Sequence, residues 1–537
     1  MLRSFAFAIL SSLMLASCQR ETQVERANRE KILLVGNGDD PKALDPHLVS
    51  GVIEANILRS LFEGLVGEDP QNDIGYPPGA ATSWDHNEDY TEWTFHLRPE
   101  AVWSDGVPVT AHDFLFSYER NLTPALASPY SEMLYFIKNA EAFNKGEIQD
   151  FSQVGVSAPD DYTLKISLRE PVPYLLGLTR HFTWYPLPEH EVRHFSPDIT
   201  DHNSKWTAPG NMVSNGAFTL KEWKINDHIE VVKNPRYWDA ANVKLNGIRF
   251  IPIENFHSET RAYLAGQLHT TYQVPPELVD AVKRDHPNEL KQDPYVGTVF
   301  IRLNIKRPAL DNNKVRLALS LAIDRESLCK SILKGNLPAA TFTPAMGNYK
   351  PDAVVGYDPE RARKLLAEAG FADGKNFPAL TMMMRSSGSS AVAETLQAMW
   401  LKELGIHIEL APRDFQSMLA AEHNSNFDMS LSGWIGDYLD PTTFLLMWTA
   451  NNGNNNTDWS DPTFEKLLNE GAHEPDPTKR LDKFKQAERV LMEAQPVIPF
   501  ALQARNYLVR PEVKGWHPLL LANYSWKDLS LEPAATP

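Results

Sequence analysis

From Tyr162 to Arg169 the chain alternates strictly, with Tyr162, Leu164, Ile166 and Leu168 apolar and Thr163, Lys165, Ser167 and Arg169 polar. A period of two sends one set to each face, so the segment predicts a half-buried strand. Trp93, Phe95 and Leu97 repeat the pattern. Asn226-Asp227 and Asn246-Gly247 lie between apolar runs and predict two-residue turns. Thr110-Ala111-His112-Asp113, before FLFSYER, is a capping-box-like helix start.

The second half changes period. Val315, Ala318, Leu319, Ala322 and Ile323 fall at helical spacing after Asp311. Asp358-Pro359 opens another helix, with Ala362, Leu365, Leu366 and Ala369 on one face and Gly370 past its end. A third runs from about Ala391 to Leu404, stops at Gly405, and leads at once into the strand IHIEL. Helix, glycine, strand is the grammar of α/β layers. The chain thus reads as a β-rich front, an α/β rear and a strand-bearing C-terminus from Val497 to Val509.

At 537 residues there is room for two or three domains. A net charge of -17 argues against a nucleic-acid surface and suits a dispersed, soluble protein. The first 18 residues are expected to be a signal segment. Arg3 supplies positive charge, Phe5 to Leu15 a mostly apolar core too short to span a bilayer, and Leu15-Ala16-Ser17-Cys18 resembles a bacterial lipobox. Cys18 would then carry lipid, and polar residues 19–30 would be a tether. Gln19 at the position after Cys18 would not favour inner-membrane retention. Cys329 is the one other cysteine, so an internal disulfide is excluded in the processed chain. It reads as a small hydrophobe on a helix.

One motif invites an enzymatic reading. His190-Glu191-Val192-Arg193-His194 is HExxH, which on a helix aligns two imidazoles for zinc with the glutamate as base. Pro188 and Pro197 leave it two turns at most, and spacing names no third ligand. A zinc peptidase is the rival this motif keeps open. GxSxG, papain-type cysteine and GxxxxGK[ST] motifs are absent, so the chain is not itself an ATPase.

The stretch GWIGDYLDPTTFL, Gly433 to Leu445, poses a different problem. Asp440 before Pro441 is a helix start, aspartate at the cap and proline at the first turn. Asp437 has no such duty and no Lys or Arg in its segment. A carboxylate among aromatic and apolar neighbours needs a cation, from elsewhere in the fold or from a ligand. It lies in a strand-to-helix loop, where α/β folds place ligand groups. Trp434, at the end of a strand from Phe427 to Ser432, is the aromatic expected to line a pocket.

These residues resemble the oligopeptide-binding proteins of bacterial ABC importers. Collinear runs include LDPHLVSGVIEANILRSLFEGL, WTFHLRPEAVWSDGVPVTAHDFLFSYER, VSNGAFTLKEW, KNPRYWD, VRLALSLAIDRESL, KLLAEAGF and GWIGDYLDPTTFL itself, covering about residues 44 to 509. The resemblance implies a type II periplasmic-binding-protein fold, two α/β lobes with an extra domain inserted in the first. Lobe I would take 31–65, 190–296 and 505–537, the inserted domain 66–189, and lobe II 297–504. It implies a monomeric, non-enzymatic receptor without cofactor, lipid-anchored in the periplasm, that hands short peptides to an inner-membrane ABC permease. By position, Ser50, Gly51 and Val52 would offer one backbone edge to an extended peptide and Gly433, Trp434 and Ile435 the other. Asp437 would meet the peptide's α-ammonium, and Tyr130 and Phe415 would contact ligand. Murein peptides, a peptide-like antibiotic or a metal chelate remain alternative cargoes. The sequence departs from some members in three places. A disulfide is lost at Gly297 and Ile435, Leu431 replaces an arginine that meets the ligand carboxylate, and Ser389 replaces a histidine. Arg385 and Lys334 are the basic candidates left for that carboxylate.

Overall fold

The computed structural model describes residues 21–386, 390–450 and 452–532, without the side chains of 415 and 416. Cys18, the expected signal segment and Ser389 lie outside the described residues. Residues 23–30, expected within a polar tether, form a helix, Gln23–Glu30. Thr22 and Glu25 close a capping box at its start, and Val24 and Ala27 pack on Leu34. Composition suggested a tether, but the Thr-x-x-Glu spacing and two apolar residues on one face outweigh it.

Strands are numbered in chain order. β1 (Ile32–Gly36) comes first. β2 (Ala81–His86), β3 (Glu92–Leu97), β4 (Val156–Asp160) and β5 (Thr163–Ser167) form an antiparallel sheet in the order β2-β3-β5-β4. Its inward residues are the alternating set, with Trp93, Phe95, Leu97, Leu164, Ile166 and Leu168 all buried. β6 (Phe218–Lys224), β7 (His228–Lys233) and β8 (Gly247–Ile251) join β1 in a second sheet, ordered β1-β8-β7-β6 with β1 and β8 parallel. The Asn226 turn is real but has three residues, 225–227, with Asn226 at φ 60°. Asn246-Gly247 is not a hairpin turn. Gly247 is already in β8, opposite Ile32, and a long loop precedes it. Parallel pairing with a distant strand sets that position, which local turn chemistry does not show.

β9 (Leu290–Leu303), β10 (Leu337–Pro338), β11 (Leu380–Arg385), β12 (Ile408–Arg413), β13 (Met429–Ile435) and β14 (Val497–Leu508) build a six-stranded mixed sheet, ordered β10-β14-β9-β13-β11-β12. The predicted helices cover its faces as Asn313–Leu321, Arg325–Ser331, Pro359–Glu368 and Ser390–Leu404. Asp358 caps the third, and Gly405, at φ +69°, ends the last. One apolar cluster centres on Leu319, Leu396, Trp400 and Met429, another on Phe342, Trp448, Phe484 and Leu491. Cys329 is buried in the first of these, and burial pushes its thiol up to about 11, as a packing residue requires.

The C-terminal strand returns to the front. β9 and β14 pair from Arg302 and Val497 to Leu290 and Leu508. At the far end Leu508 exchanges hydrogen bonds with Thr271, and Gly36 of β1 donates to Thr270. Trp526 then donates its indole N–H to Asn56 and packs on Phe250. Two long strands therefore link the six-stranded sheet to the sheet of β1.

Candidate ligand-binding site

β13 pairs with β9 along its whole length, from Met429 opposite Leu303 to Ile435 opposite Gly297. On its other side β11 reaches only Met429 and Ser430. Beyond that point β11 stays with β12, as far as Arg385 opposite Arg413. Leu431–Ile435 therefore has one edge with no partner strand among the described residues. Gly433 is exposed and Ile435 is 40% exposed. An open strand edge is an aggregation hazard unless something covers it, and an extended ligand is one such cover. Trp434 stands within the strand rather than after it, half-buried, with its indole N–H on the Thr443 carbonyl at 2.9 Å.

The loop after β13 is fastened at both ends. Gly436 N–H donates to the Val296 carbonyl at 2.8 Å, and Asp437 N–H to the Thr443 hydroxyl at 3.1 Å. The Asp437 carboxyl lies near Tyr130 and Glu132. Burial pushes its pKa up to about 7; the Glu132 charge adds to this and the neighbouring Tyr130 phenol opposes it. Among the described residues no cation acts on it, so none of them supplies the cation the sequence demanded.

Asp440 lies three residues on in the opposite setting. Arg480 grips it with both nitrogens, at 2.6 and 3.0 Å, and it accepts from the Thr442 N–H and hydroxyl at 3.1 and 2.7 Å. Between the two acids Tyr438 stacks on Tyr174, with centroids 5.3 Å apart and planes 6° apart, and meets Phe136 edge-on. The front of the chain therefore touches this loop through Tyr130, Phe136 and Tyr174. A cavity of about 250 Å³ lies on the Asp440 side, walled by Tyr90, Tyr174, Tyr349 and Arg480, and is separate from the Asp437 carboxyl.

The other expected residues divide. Gly51 is extended and Val52 opens the helix Val52–Leu61, so Ser50, Gly51 and Val52 lead into a helix N-terminus rather than a strand. Tyr130 is half-buried against His181 and Phe182. Phe415 starts the helix Phe415–His423, and its side chain lies outside the described residues. Arg385 is exposed at the end of β11, and Lys334 is paired with Asp280. Leu431 is packed into the apolar core. Two residues near the edge went unpredicted. Glu132 could have been read two places after Tyr130. Gln503, whose carboxamide lies over Gly297 and Gly433, is set by a β14 irregularity that no local pattern marks.

HEVRH forms the short helix Glu189–Phe195. His190 bonds Asp105 at 2.7 Å, and Arg193 pairs with Glu189. Among the described residues the one three-membered cluster fit for a metal is Glu222, His228 and Glu230, which includes none of these. Among the described residues no third His, Cys, Asp or Glu groups with His190 and His194 at ligand distance.

The sequence profile of the bacterial extracellular solute-binding proteins, family 5, matches residues 75–456. The chain belongs to this family. It is 34% identical over 530 residues to a periplasmic oligopeptide-binding protein of Salmonella typhimurium, covering 95% of both chains. It is 33% identical over 495 residues to the periplasmic murein peptide-binding protein of Escherichia coli, covering 89% of each. The solved structure of a periplasmic oligopeptide-binding protein from Borrelia burgdorferi superposes with a TM-score of 0.80 at 33% identity, over 93% of this chain and 100% of that one. The architecture of this family 5 protein is therefore the two-lobed α/β fold of periplasmic binding proteins. The family binds solutes and is not one of enzymes.

Proposed function

We propose that this protein captures short peptides in extended form and delivers them to an ABC permease, with the open edge of β13 pairing the ligand backbone and Asp437 receiving its α-ammonium. The observation that carries the reading is a half-buried carboxyl beside an unpaired strand edge, near the acid Glu132 and, among the described residues, with no cation acting on it. Raising its pKa from 3.8 to about 7 corresponds to roughly 4 kcal/mol against the charged form. One ammonium at about 4 Å is worth a similar amount at an effective dielectric of about 20. A single peptide amine is thus enough to restore the ionised acid. Backbone pairing holds the ligand whatever its side chains, so breadth of sequence follows.

In this reading lobe I comprises 31–65, 190–296 and 505–537, the inserted domain 66–189 and lobe II 297–504. The long β9–β14 pair is where the lobes flex, and the Tyr130 and Tyr438 contacts form on closure. Closure is a population shift, so the ligand has to favour the closed form. Lipidated Cys18 holds the protein at the periplasmic face of a membrane, as a monomer without cofactor or catalytic step. The likeness to the murein peptide-binding relative makes a murein peptide the second cargo to test.

Native mass spectrometry of freshly purified protein, followed by calorimetry with free and N-acetylated peptides, tests the proposal. The expected result is co-purified peptides and at least about tenfold weaker binding of acetylated ones, the loss of one buried charged partner. Equal affinity for both, or no peptide bound at all, overturns it.

A further inference from the structure

The hairpin of β6 and β7 gathers charge on one face. Glu222 stands opposite Glu230, Lys224 opposite His228, and Arg249 of β8 opposite Glu230. Directly opposed residues share a face, as do residues two apart along a strand. A register shift between Leu220 and Glu222 brings Lys221 to the same face, where its Nζ lies 2.7 Å from Glu230 Oε1. Glu222, His228 and Glu230 each offer one ligand atom, and these atoms lie within 4.8 Å of one another. His228 Nε2 is 3.2 Å from Glu222 Oε2 and 3.9 Å from Glu230 Oε2. Ligand atoms around a tetrahedral zinc are roughly 3.3 Å apart, so a small movement closes the set on an ion.

The imidazole indicates what the cluster is built to hold. His228 is 8% exposed, and its buried Nε2 has no hydrogen-bond partner. A proton on Nε2 would meet neither carboxylate in hydrogen-bond geometry, and a lone pair there faces two anions. Asp227 Oδ2 stands 3.2 Å from Nδ1. A carboxylate at that nitrogen favours the proton there and leaves the Nε2 lone pair toward Glu222 and Glu230, as in a histidine that ligates a metal with a carboxylate behind it.

The cations already present leave room for an ion. Lys224 pairs with Glu222 at 2.9 Å and Lys221 with Glu230, both through side chains more than half exposed. Exposed ion pairs are weakly held, so both ammonium groups can turn to solvent. Arg249 holds Glu230 Oε2 at 2.5 and 3.1 Å. A carboxylate oxygen accepts more than one partner, so Arg249 can stay and orient Glu230.

We infer that Glu222, His228 and Glu230 form a site for one divalent transition-metal ion of the zinc class, with Asp227 and Arg249 as positioning residues. An imidazole among the ligands selects such an ion over calcium and magnesium, which take oxygen ligands. Water completes the fourth position. The ion joins β6 to β7 beside their turn. The inference goes beyond the peptide reading and does not depend on it.

The test is calorimetric titration of the purified protein, first stripped with chelator, using zinc chloride and, in parallel, calcium and magnesium chlorides. Wild-type protein is expected to bind one zinc ion in preference to the other two. Glu222→Gln and His228→Gln should each weaken zinc by at least about tenfold, and Asp227→Asn by about tenfold. Glu222 is half-exposed, so its variant should fold even where His228→Gln does not. Lys221→Met removes a competing cation and should tighten zinc, a gain that a purely structural cluster of ion pairs does not give. Zinc should also raise the Tm of wild type and not that of Glu222→Gln. Zinc bound equally by wild type and Glu222→Gln is adventitious and overturns the site, as does a wild type that binds none. Calcium bound as tightly as zinc overturns the zinc class.

Discussion

The Tyr130 phenol stands beside the Asp437 carboxyl and opposes the rise of its pKa, and so brings the front of the chain to the loop after β13. Glu132, two residues from Tyr130, acts on the same carboxyl with the opposite effect. A neighbouring phenol favours the ionised acid, a second acid disfavours it, and an ammonium outweighs the second.

Asp437→Asn is therefore expected to weaken binding of free peptides at least about tenfold at neutral pH, because the amide keeps the shape and loses the charge-assisted bond. N-acetylated peptides should lose little from the same change. Calorimetry on both pairs checks this. An unchanged affinity for free peptides would take the anchor away from Asp437.

Affinity should also depend on pH through the same group. In the closed form burial holds the acid up at about 7 when no ammonium is beside it, and binding requires it deprotonated while the peptide amine stays charged. As pH falls below about 7 a proton has to be expelled, and affinity drops by up to about tenfold per unit. Calorimetry near pH 6 in two buffers of different ionisation enthalpy should show proton release on binding. Tyr130→Phe removes a group that lowers the pKa, so its penalty should grow toward pH 6 and shrink toward pH 8. A flat profile from about pH 5.5 to 7.5 contradicts the assignment.

The two aspartates also mark what the sequence could show. Asp440 before Pro441 declared a local duty, and Thr442 confirms it at 3.1 Å. That Asp440 also needs Arg480 was hidden, because the partner sits forty positions away on another helix. Asp437 was legible as an acid without a partner, yet the open edge beside it was not. That edge exists because β11 leaves β13 after Ser430, a matter of register between strands distant in sequence. Alternation gave β3 and β5 and helical spacing gave the helices over the large sheet. Pairing decided by distant strands, as at Gly247, left no local mark.

Asp440 and Arg480 supply the third prediction. Both side chains are 7% exposed and meet through two hydrogen bonds. Removing one partner leaves a buried charge alone, so Asp440→Asn or Arg480→Met should destabilise by about 3–5 kcal/mol. Denaturant unfolding measures this. Where enough protein stays folded, peptide binding should keep its pH dependence, since Asp437 rather than Asp440 titrates with the ligand.

Glu488 gives a test of the fold that is independent of any ligand. The side chain is buried, with Oε1 receiving the N–H groups of Phe342 and Thr343 at 2.9 and 2.7 Å and Oε2 the Tyr349 hydroxyl at 2.5 Å. Burial outweighs these bonds and pushes its pKa from 4.5 to about 7. Between those values the folded chain holds a proton that the unfolded chain has released. The contribution of this group to stability therefore falls as pH rises through that window, by about 1.4 kcal/mol per unit at most. Glu63 and Glu259, also pushed up to about 7, add in the same direction. Glu488→Gln keeps a carbonyl oxygen for the two N–H groups and offers its own N–H to the Tyr349 oxygen, so the variant should fold. Its unfolding free energy, from urea titrations at about pH 5, 6 and 7, should decline less steeply than that of wild type. Equal slopes would mean that Glu488 stays ionised in the core across the whole range.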